Sequence, residues 1–277
     1  MELWFTEKQT DALALSLLVN KTLHRERTPF QDLAVLETVQ YGRMLVLDGV
    51  VMLTEADEFV YHEMIAHVPL LVHPDPRLVL VIGGGDGGTV REVLKHPSVE
   101  KVVLAEIDER VIEVSRRFFP TLSVGFTVPR LELAIGDGIE HVRNHPGAYD
   151  VILVDSTDPI GPGVGLFEAD FYRMAAAALR PGGILAAQTE SPFVNRDLIR
   201  RIHKNMKAAF PFRRLYLASI PTYPSGLWSF TLAAQGEVPY LAPRVLPGLA
   251  TKYYTPEVHR AAFILPPFVA ELVREEG

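Results

Sequence analysis

The stretch Leu78–Leu94, LVLVIGGGDGGTVREVL, decides the fold of this 277-residue chain. An aliphatic run typical of a buried strand stops at five glycines interrupted by one carboxylate, Asp86, and a helical pattern follows. Gly83, Gly85 and Gly88 have the G-x-G-x-x-G spacing of a nucleotide-binding turn, in which the backbone approaches a ligand at a helix N-terminus. The stretch therefore predicts the first strand, loop and helix of a Rossmann-like sheet.

The carboxylate of Asp86 restricts what this loop can bind. A pyrophosphate would meet a negative charge there, whereas a cationic adenosyl ligand would be attracted to it. About twenty residues further on, a second predicted strand ends at Glu106 and is followed by Asp108, where nucleotide-binding folds place acids that contact ribose hydroxyls. A glycine-rich turn without a ligand is the alternative, and the combination of strand, loop, helix and acid disfavours it.

Composition narrows the class of protein. An apolar content of 48% can bury one large core with a small appendage, and a net charge of −7 disfavours nucleic acid as a partner and favours cationic ligands. The absence of cysteine excludes disulfides, thiol catalysis and cysteine-ligated metals. No apolar run reaches the ~18 residues that cross a bilayer, and the N-terminus lacks a basic signal-peptide start. We therefore expect a cytoplasmic protein without a membrane partner.

Residues 1–56 predict a small N-terminal antiparallel β domain. The predicted strands are the apolar runs at 13–19, 33–39 and 44–47. Turn-forming pairs such as Asp48-Gly49 separate them, as in a meander of hairpins. From Glu55 the pattern becomes helical and continues to Pro69.

Residues 57–277 predict a Rossmann-like catalytic domain of the methyltransferase type. Strands are expected at 78–82, 101–106, 131–135, 150–155, 183–189, 214–220 and 228–234. Helices are expected at 88–95, 109–118, 138–144, 168–179 and 195–209. Such alternation predicts an α/β, doubly wound parallel sheet with right-handed crossovers, and the strands after Phe210 are expected to pair antiparallel at one edge.

Acidic side chains follow most of these strands. In an open α/β sheet ligands bind beyond the carboxyl ends of the strands, so these positions predict the site. Five of the first six strand ends carry a carboxylate, at Asp86, Glu106 with Asp108, Asp137, Asp155 with Asp158, and Glu190. Acids at strand ends are often merely solvated, but five in one crevice would repel each other unless a cation lies among them.

Two of these positions have alternative interpretations. Asp137, between two glycines, suits an adenine amino group, but it could equally cap the helix that begins near Ile139. Asp155 and Asp158 precede a glycine- and proline-rich segment, and residues 157–167 are expected to form a mobile lid. An ordinary loop in which Asp158 forms a turn before proline is the alternative.

Taken together, the motifs resemble the polyamine aminopropyltransferase family, and in particular its spermidine synthases. The matching residues are Phe30–Asp32, Asp48-Gly49, Thr54-Glu55, Asp57–Phe59, Tyr61–Met64, Gly83–Gly88, Glu106–Asp108, Gly136–Gly138, Asp155–Pro162, Pro221–Gly226, Tyr253-Tyr254, His259 and Leu265-Pro266. The resemblance covers nearly the whole chain, including the N-terminal β domain, which methyltransferases do not share.

This resemblance implies transfer of the aminopropyl group of decarboxylated S-adenosylmethionine to a diamine, most often putrescine, giving spermidine and methylthioadenosine. It implies no cofactor and no metal, since the donor is a co-substrate. The implied donor-binding residues are Gln31, His62, Gly83, Gly84, Gly85, Asp86, Glu106, Ile107, Asp137, Gly138 and Pro162. The implied acceptor-binding residues are Tyr61, Asp155, Ser156, Thr157, Asp158, Gln188, Tyr223 and Trp228, with Asp155 as the catalytic proton acceptor.

Other functions remain as alternatives. A methyltransferase would bind a donor with a carboxylate, which the surrounding acids disfavour, and a nicotinamide-dependent dehydrogenase would place a pyrophosphate against Asp86. A non-catalytic polyamine sensor would need fewer acids than Asp155 and Asp158 supply. Putrescine, cadaverine, agmatine and spermidine stay open as acceptors. Unpaired edges of the N-terminal sheet predict a homodimer or homotetramer.

Overall fold

The computed structural model describes residues 2–157 and 161–274, and the first of its two sheets is N-terminal and antiparallel. Its five strands, in sequential order, are β1 (Leu3–Lys8), β2 (Ala14–Arg27), β3 (Asp32–Thr38), β4 (Arg43–Leu47) and β5 (Val50–Thr54). The predicted Asp48-Gly49 turn joins β4 to β5, and both residues have the positive φ (48° and 82°) that a two-residue hairpin requires. Strands β1 and β5 were not predicted from the sequence. In β1 only one of six residues is buried, because it is an edge strand, so its apolar pattern is weak.

The second sheet has seven strands in the order β11-β12-β10-β9-β6-β7-β8. They are β6 (Leu78–Gly83), β7 (Lys101–Glu106), β8 (Leu131–Ile135), β9 (Tyr149–Asp155), β10 (Leu179–Gln188), β11 (Phe212–Ser219) and β12 (Leu227–Ala234). Strands β6 to β10 pair in parallel, and β12 pairs antiparallel with both β10 and β11. The predicted Rossmann-like sheet with an antiparallel edge is thereby confirmed.

Helices cover both faces of this sheet. They are α1 (Glu58–Val72), α2 (Gly88–Leu94), α3 (Glu109–Phe118), α4 (Gly138–Asn144), α5 (Ala169–Ala178), α6 (Arg196–Met206), α7 (Pro256–Ala262) and α8 (Pro267–Ala270). Short 3₁₀ helices lie at Ser123–Thr127, Gly161–Phe167 and Pro224–Gly226. Helices α1, α2 and α3 pack on one face, and α4, α5 and α6 pack on the other. Within the described part of the chain, no helix is long and apolar enough to cross a membrane.

Helix α1 is buried almost all round, since only Phe59 among its fifteen residues is not buried. It does not end at Pro69, as its sequence suggested, but continues to Val72. Proline inside a helix removes one backbone hydrogen bond. Tertiary packing offsets that loss, because Ala66 and Leu70 lie in the core against β6 and β9 while Met64 and Ile65 pack against β11 and β12.

The N-terminal sheet is fixed over the carboxyl ends of the parallel strands by apolar packing. Leu45, Leu47 and Leu53 form one buried cluster with Val111 and Val114 of α3. Because α3 follows β7 directly, this cluster holds the β4–β5 hairpin above the end of that strand. The hairpin thereby becomes a roof over the edge of the sheet where ligands bind in such folds.

The C-terminal segment is anchored by one buried carboxylate of α1. Glu63 is only 1% exposed and accepts backbone N–H groups from Lys252, Tyr253 and Tyr254 at 2.7, 2.8 and 2.7 Å. Tyr254 packs edge-on against His67, with ring centroids 5.4 Å apart. Neither this anchor nor the helices α7 and α8 that follow it were predicted from the sequence.

Replacing the anchor should destabilise the fold. In Glu63→Gln at least one backbone N–H would face an amide group that cannot accept it, so we expect the free energy of unfolding to fall by about 1–3 kcal/mol. Denaturant unfolding measures this. The matched control is Glu100→Gln, since Glu100 is 61% exposed in its ion pair with Arg77, and its effect should stay below about 0.5 kcal/mol. Equal stability of the two variants would contradict the anchor.

Candidate active site

A single pocket collects the predicted site residues that the structure describes. It opens at the carboxyl ends of β6, β7, β9 and β10, beneath the β4–β5 hairpin. Its lining includes Gln31, Tyr61, His62, Gly83, Gly84, Gly85, Asp86, Glu106, Ile107, Asp137, Gly138, Asp155, Ser156, Thr157, Gln188, Tyr223 and Trp228. The residue types named from sequence thus converge on one cavity, and their individual roles stay predictions.

Two predicted residues cannot be placed. Asp158 lies outside the described residues, and so does the side chain of Pro162. Beyond residues 158–160 the chain forms the 3₁₀ helix Gly161–Phe167, from which Gly163 and Leu166 line the pocket. The expected lid at 157–167 therefore borders the site, and its mobility stays a prediction.

The roof of the pocket was missed from sequence. Leu45, Leu47, Val50, Val51 and Met52 of the β4–β5 hairpin line it. These are ordinary apolar strand residues, and nothing in their pattern separates a pocket wall from a core. The glycine-bounded turn at Asp48 was the only signal that a hairpin ends here.

The glycine loop allows the end of β6 to approach the end of β9 very closely. Gly83 and Gly84 have φ of 75° and 71°. A Cβ atom on Gly83 would lie 2.2 Å from the carbonyl oxygen of Asp155, and one on Gly84 would lie 2.5 Å from Oδ2 of the same residue. A side chain at either position would therefore displace Asp155.

Three ionisable side chains meet where these strands end. The polar atoms of His62, Asp86 and Asp155 lie within 4.8 Å of one another. Nδ1 of His62 lies 2.6 Å from Oε2 of Glu58, and Nε2 lies 3.2 Å from Oδ1 of Asp86. Both ring nitrogens thus bond to carboxylates and are not free to ligate a metal. The cluster therefore suits an organic cation better than a metal ion.

The pKa values of these three side chains are shifted in different directions. Burial disfavours the charged ring, but Asp86 and Glu58 together raise the pKa of His62 well above its usual value. Burial also opposes ionisation of Asp86, yet His62 holds the pKa of that carboxyl below its usual value. Burial, and then the charge of Asp86, raise the pKa of Asp155 to about 6. Asp86 is therefore ionised at neutral pH, and Asp155 can exchange a proton close to neutral pH.

A hydroxyl group orients Asp155. Thr89, in the first turn of α2, donates from Oγ1 to Oδ2 at 2.7 Å. Thr89 was given no role from the sequence, although its position directly after the glycine loop is the signal that could have identified it.

Glu106 is the last residue of β7 and lies at the glycine loop, and its predicted contact with a ribose stays a prediction. Its Oε2 accepts the N–H of Gly85 at 3.1 Å and its Oε1 accepts the N–H of Asp108 at 2.9 Å. Burial raises the pKa of Glu106 to about 7. The carboxyl group is therefore held rigidly at the glycine loop.

Asp108, the second acid after β7, does not line the pocket. It is 1% exposed, caps α3 through the N–H of Arg110, and accepts from Thr28 and Gln31 at 2.7 and 2.9 Å. Its carboxylate faces the N-terminal sheet, where it holds the side chain of Gln31. Gln31 immediately precedes β3 and lines the pocket.

Asp137 fits both of the interpretations that the sequence left open. Its Oδ1 accepts the N–H of Ile139 at 2.8 Å and caps α4, while the residue also lines the pocket. A capping residue at a helix N-terminus keeps a second oxygen for another donor. The adenine contact accordingly stays a prediction.

Aromatic rings form the opposite wall. The ring centroids of Tyr61 and Tyr223 lie 5.8 Å apart, and those of Tyr223 and Trp228 lie 4.7 Å apart. Tyr223 donates its hydroxyl to the carbonyl of Met52, which joins this wall to the roof. Gln188 donates from Nε2 to the carbonyl of Ser156 at 3.3 Å. This end of the pocket can surround a chain of methylene groups with aromatic faces.

Comparison with known proteins yields the same assignment over the whole chain. The model of the spermine/spermidine synthase domain matches residues 58–240, and that of the spermidine synthase tetramerisation domain matches residues 3–55. The polyamine aminopropyltransferase of Desulforudis audaxviator is 57% identical over 99% of this chain and 100% of its own length. That of Moorella thermoacetica is 56% identical over 98% and 96%.

Solved structures agree. A spermidine synthase in complex with the transition-state analogue AdoDATO superposes with a TM-score of 0.95 at 42% identity, covering 98% of this chain and 94% of that one. Spermidine synthase from Thermotoga maritima gives a TM-score of 0.93 at 41% identity, with the same coverage. The architecture, the residues that line the pocket and these likenesses together show that the chain is a transferase belonging to the spermine/spermidine synthase family.

Proposed function

We propose that this protein is a spermidine synthase, which transfers the aminopropyl group of decarboxylated S-adenosylmethionine to putrescine and releases spermidine and methylthioadenosine. The observation that carries the proposal is the pair Asp86 and Asp155, both partly buried and in one cluster with His62. The first is kept ionised, and the second has a pKa raised to about 6. This pair supplies a cation-binding group and a proton acceptor side by side.

The donor fits the half of the pocket beneath the glycine loop. It carries a sulfonium and an ammonium and lacks a carboxylate, so the permanent charge of Asp86 attracts it. Glu106 would hold the ribose, Asp137 would accept from the adenine, and Gln31 and His62 would lie near the aminopropyl end. A nucleotide with a pyrophosphate would instead be repelled by Asp86.

The acceptor fits between the aromatic wall and Asp155. Tyr223 and Trp228 offer faces to the methylene groups and to the positive charge of a diamine. An amine with a pKa near 10 costs roughly 4–5 kcal/mol to neutralise at pH 7. Repulsion from the donor's sulfonium lowers that cost, and the carboxylate of Asp155 can accept the proton.

The reaction is a direct displacement. The neutral amine forms a bond to the methylene carbon beside sulfur while the carbon–sulfur bond breaks, and the sulfonium becomes the neutral thioether of methylthioadenosine. The proton that the amine gives up before it attacks passes to Asp155, and the new secondary amine stays protonated in the product. Alignment of the nucleophile with the leaving group supplies much of the rate, and no cofactor or metal is required.

We also propose that the chain works as a homo-oligomer, a dimer or a tetramer, assembled through the N-terminal sheet. Strand β1 is an edge strand. Leu3 and Trp4 on it are 51% and 52% exposed. Unpaired edges with exposed apolar side chains favour association. The matched tetramerisation domain covers the same residues.

Asp155→Asn should abolish most of the activity while leaving the donor site intact. Loss of a general base lowers kcat by about 10²-fold or more, and we expect methylthioadenosine affinity to stay near that of the unchanged protein. In the unchanged protein, kcat/KM should fall as the pH drops through about 6, because a protonated Asp155 cannot accept a proton. Steady-state assays of methylthioadenosine release measure both effects, and undiminished turnover in the variant would refute the assignment.

Asp86→Asn should weaken binding of the donor more than binding of its product. The variant loses a charge-assisted contact of roughly 1.5–3 kcal/mol to the donor's ammonium, a group that methylthioadenosine lacks. Calorimetric titrations should therefore show much greater weakening for decarboxylated S-adenosylmethionine than for methylthioadenosine. Equal weakening would mean that Asp86 only shapes the loop through its bond to Gly88.

Putrescine should be preferred over cadaverine, agmatine and spermidine. The packed rings of Tyr223 and Trp228 and the bond from Tyr223 to Met52 narrow the acceptor end. Each methylene that does not fit should cost ~1–3 kcal/mol in kcat/KM, and a guanidinium would need a wider bidentate site. Competition between the four amines measures this order. Faster use of agmatine or spermidine would show that the channel is open at this end.

A further inference from the structure

A buried carboxylate lies behind the pocket, in contact with the cluster just described. Glu58 is the first residue of α1, is 6% exposed, and does not line the pocket. Its Oε2 lies 2.6 Å from Nδ1 of His62, one helical turn further on. Arg91 of α2 binds the same carboxylate with two nitrogens, Nη1 to Oε1 at 3.0 Å and Nη2 to Oε2 at 2.8 Å. Glu58 therefore joins a fixed guanidinium to the active-site histidine.

The geometry determines the protonation of His62 once both neighbouring carboxylates are ionised, and the pKa of each carboxyl is held below its usual value. Each ring nitrogen faces a carboxylate oxygen, of Glu58 at 2.6 Å and of Asp86 at 3.2 Å. An ionised carboxylate can only accept, so each nitrogen must carry a hydrogen and the ring must be an imidazolium. A Cβ on Gly88 would lie 2.3 Å from the ring, so the helix backbone packs directly against it.

The charged ring in turn fixes Asp86. Oδ1 of Asp86 takes both the His62 contact and the N–H of Gly88 at 2.7 Å. In the described part of the chain no residue donates to Oδ2, which remains for a ligand. The imidazolium thus keeps Asp86 ionised, and Asp155 is the carboxyl group with the higher pKa.

Every charged or titratable group around the ring enters this balance. Glu58 and Tyr61 face His62 from α1, Asp86 from the glycine loop and Asp155 from β9, while Arg91 acts from α2 through Glu58. Without Glu58, Asp86 would be the only anion among the described residues that bonds directly to the ring, and Arg91 would keep only its contact with Glu92. Burial would then favour the neutral ring.

We propose that Glu58, held by Arg91, is a positioning residue that keeps His62 an imidazolium. The imidazolium in turn keeps Asp86 ionised and leaves Asp155 as the carboxyl group that exchanges a proton. The catalytic meaning of this difference depends on the proposed aminopropyl transfer. Glu58 itself touches no substrate and acts only through His62.

The first test observes His62 directly, without any substrate. In ¹⁵N-histidine-labelled protein, with His62 assigned from the spectrum of His62→Asn, we expect both ring nitrogens to stay protonated across about pH 6–9, on either side of the ordinary histidine pKa. In Glu58→Gln the His62 signals should titrate within that range. Glu58→Asp keeps the charge at shorter reach, should restore the doubly protonated ring at least in part, and serves if the glutamine variant does not fold.

The second test follows activity against pH. Loss of the nearby imidazolium charge raises the pKa of Asp155, so the acidic limb of kcat/KM in Glu58→Gln should move upward by about 1 pH unit or more. A role in folding alone would lower the Tm and leave the limb in place.

The matched control is Glu92→Gln. Glu92 is also buried at 1% exposure and binds the same guanidinium, accepting from Nε of Arg91 at 2.8 Å, but its other oxygen meets His67 instead of His62. We expect a lower Tm with unchanged His62 signals and an unchanged acidic limb.

The outcomes separate the two proposals. A neutral His62 in the unchanged protein, or equal shifts of the limb in Glu58→Gln and Glu92→Gln, would overturn the positioning role. Failure of the unchanged protein to form methylthioadenosine from decarboxylated S-adenosylmethionine and putrescine would overturn the proposed function. The nitrogen spectra would still decide whether Glu58 controls the charge of His62.

Discussion

The close approach of two carboxylates, Asp86 and Asp155, is the constraint on which the site depends. It exists because Gly83 and Gly84 let the end of β6 pass within contact distance of the end of β9, where any Cβ would collide with Asp155. Two anions this close in a buried setting are unstable unless a cation is shared between them. The protein supplies the His62 imidazolium, and the proposed cationic donor and diamine would supply further positive charge.

Burial strengthens the interactions between these charges, and the N-terminal sheet provides that burial. The β4–β5 hairpin roofs the pocket because Leu45, Leu47 and Leu53 pack on α3. The hydroxyl of Tyr223 then fixes the aromatic wall to Met52 in the roof. A doubly wound sheet alone would leave the strand ends open to water, where the same acids would interact more weakly.

Helix α1 connects stability to chemistry. Its apolar residues fill two cores, and Glu63 anchors the C-terminal segment. The same helix presents Tyr61 and His62 to the pocket and Glu58 to Arg91. Its nearly complete burial fixes these side chains in place, and preorganised groups cost no rearrangement when charge moves during a reaction.

Much of this molecule was predictable from sequence because the evidence was local. Periodic apolar runs placed every strand of the second sheet and the helices α2 to α6 within a few residues, and the rule that ligands bind beyond strand ends located the pocket. Edge strand β1 and the helices after Pro256 were missed, since few of their residues are buried in a regular pattern.

The sequence by itself determined the fold class, the family and the convergence of acids such as Asp86, Glu106 and Asp155 at one edge of a sheet. Only the tertiary structure decided what each acid faces. Asp108 turned out to support Gln31, Asp137 to cap α4, and Glu58 to reach His62 and Arg91. Charge and protonation depend on distances of a few ångströms between residues far apart in the chain, and a pattern of residue types carries no such distances.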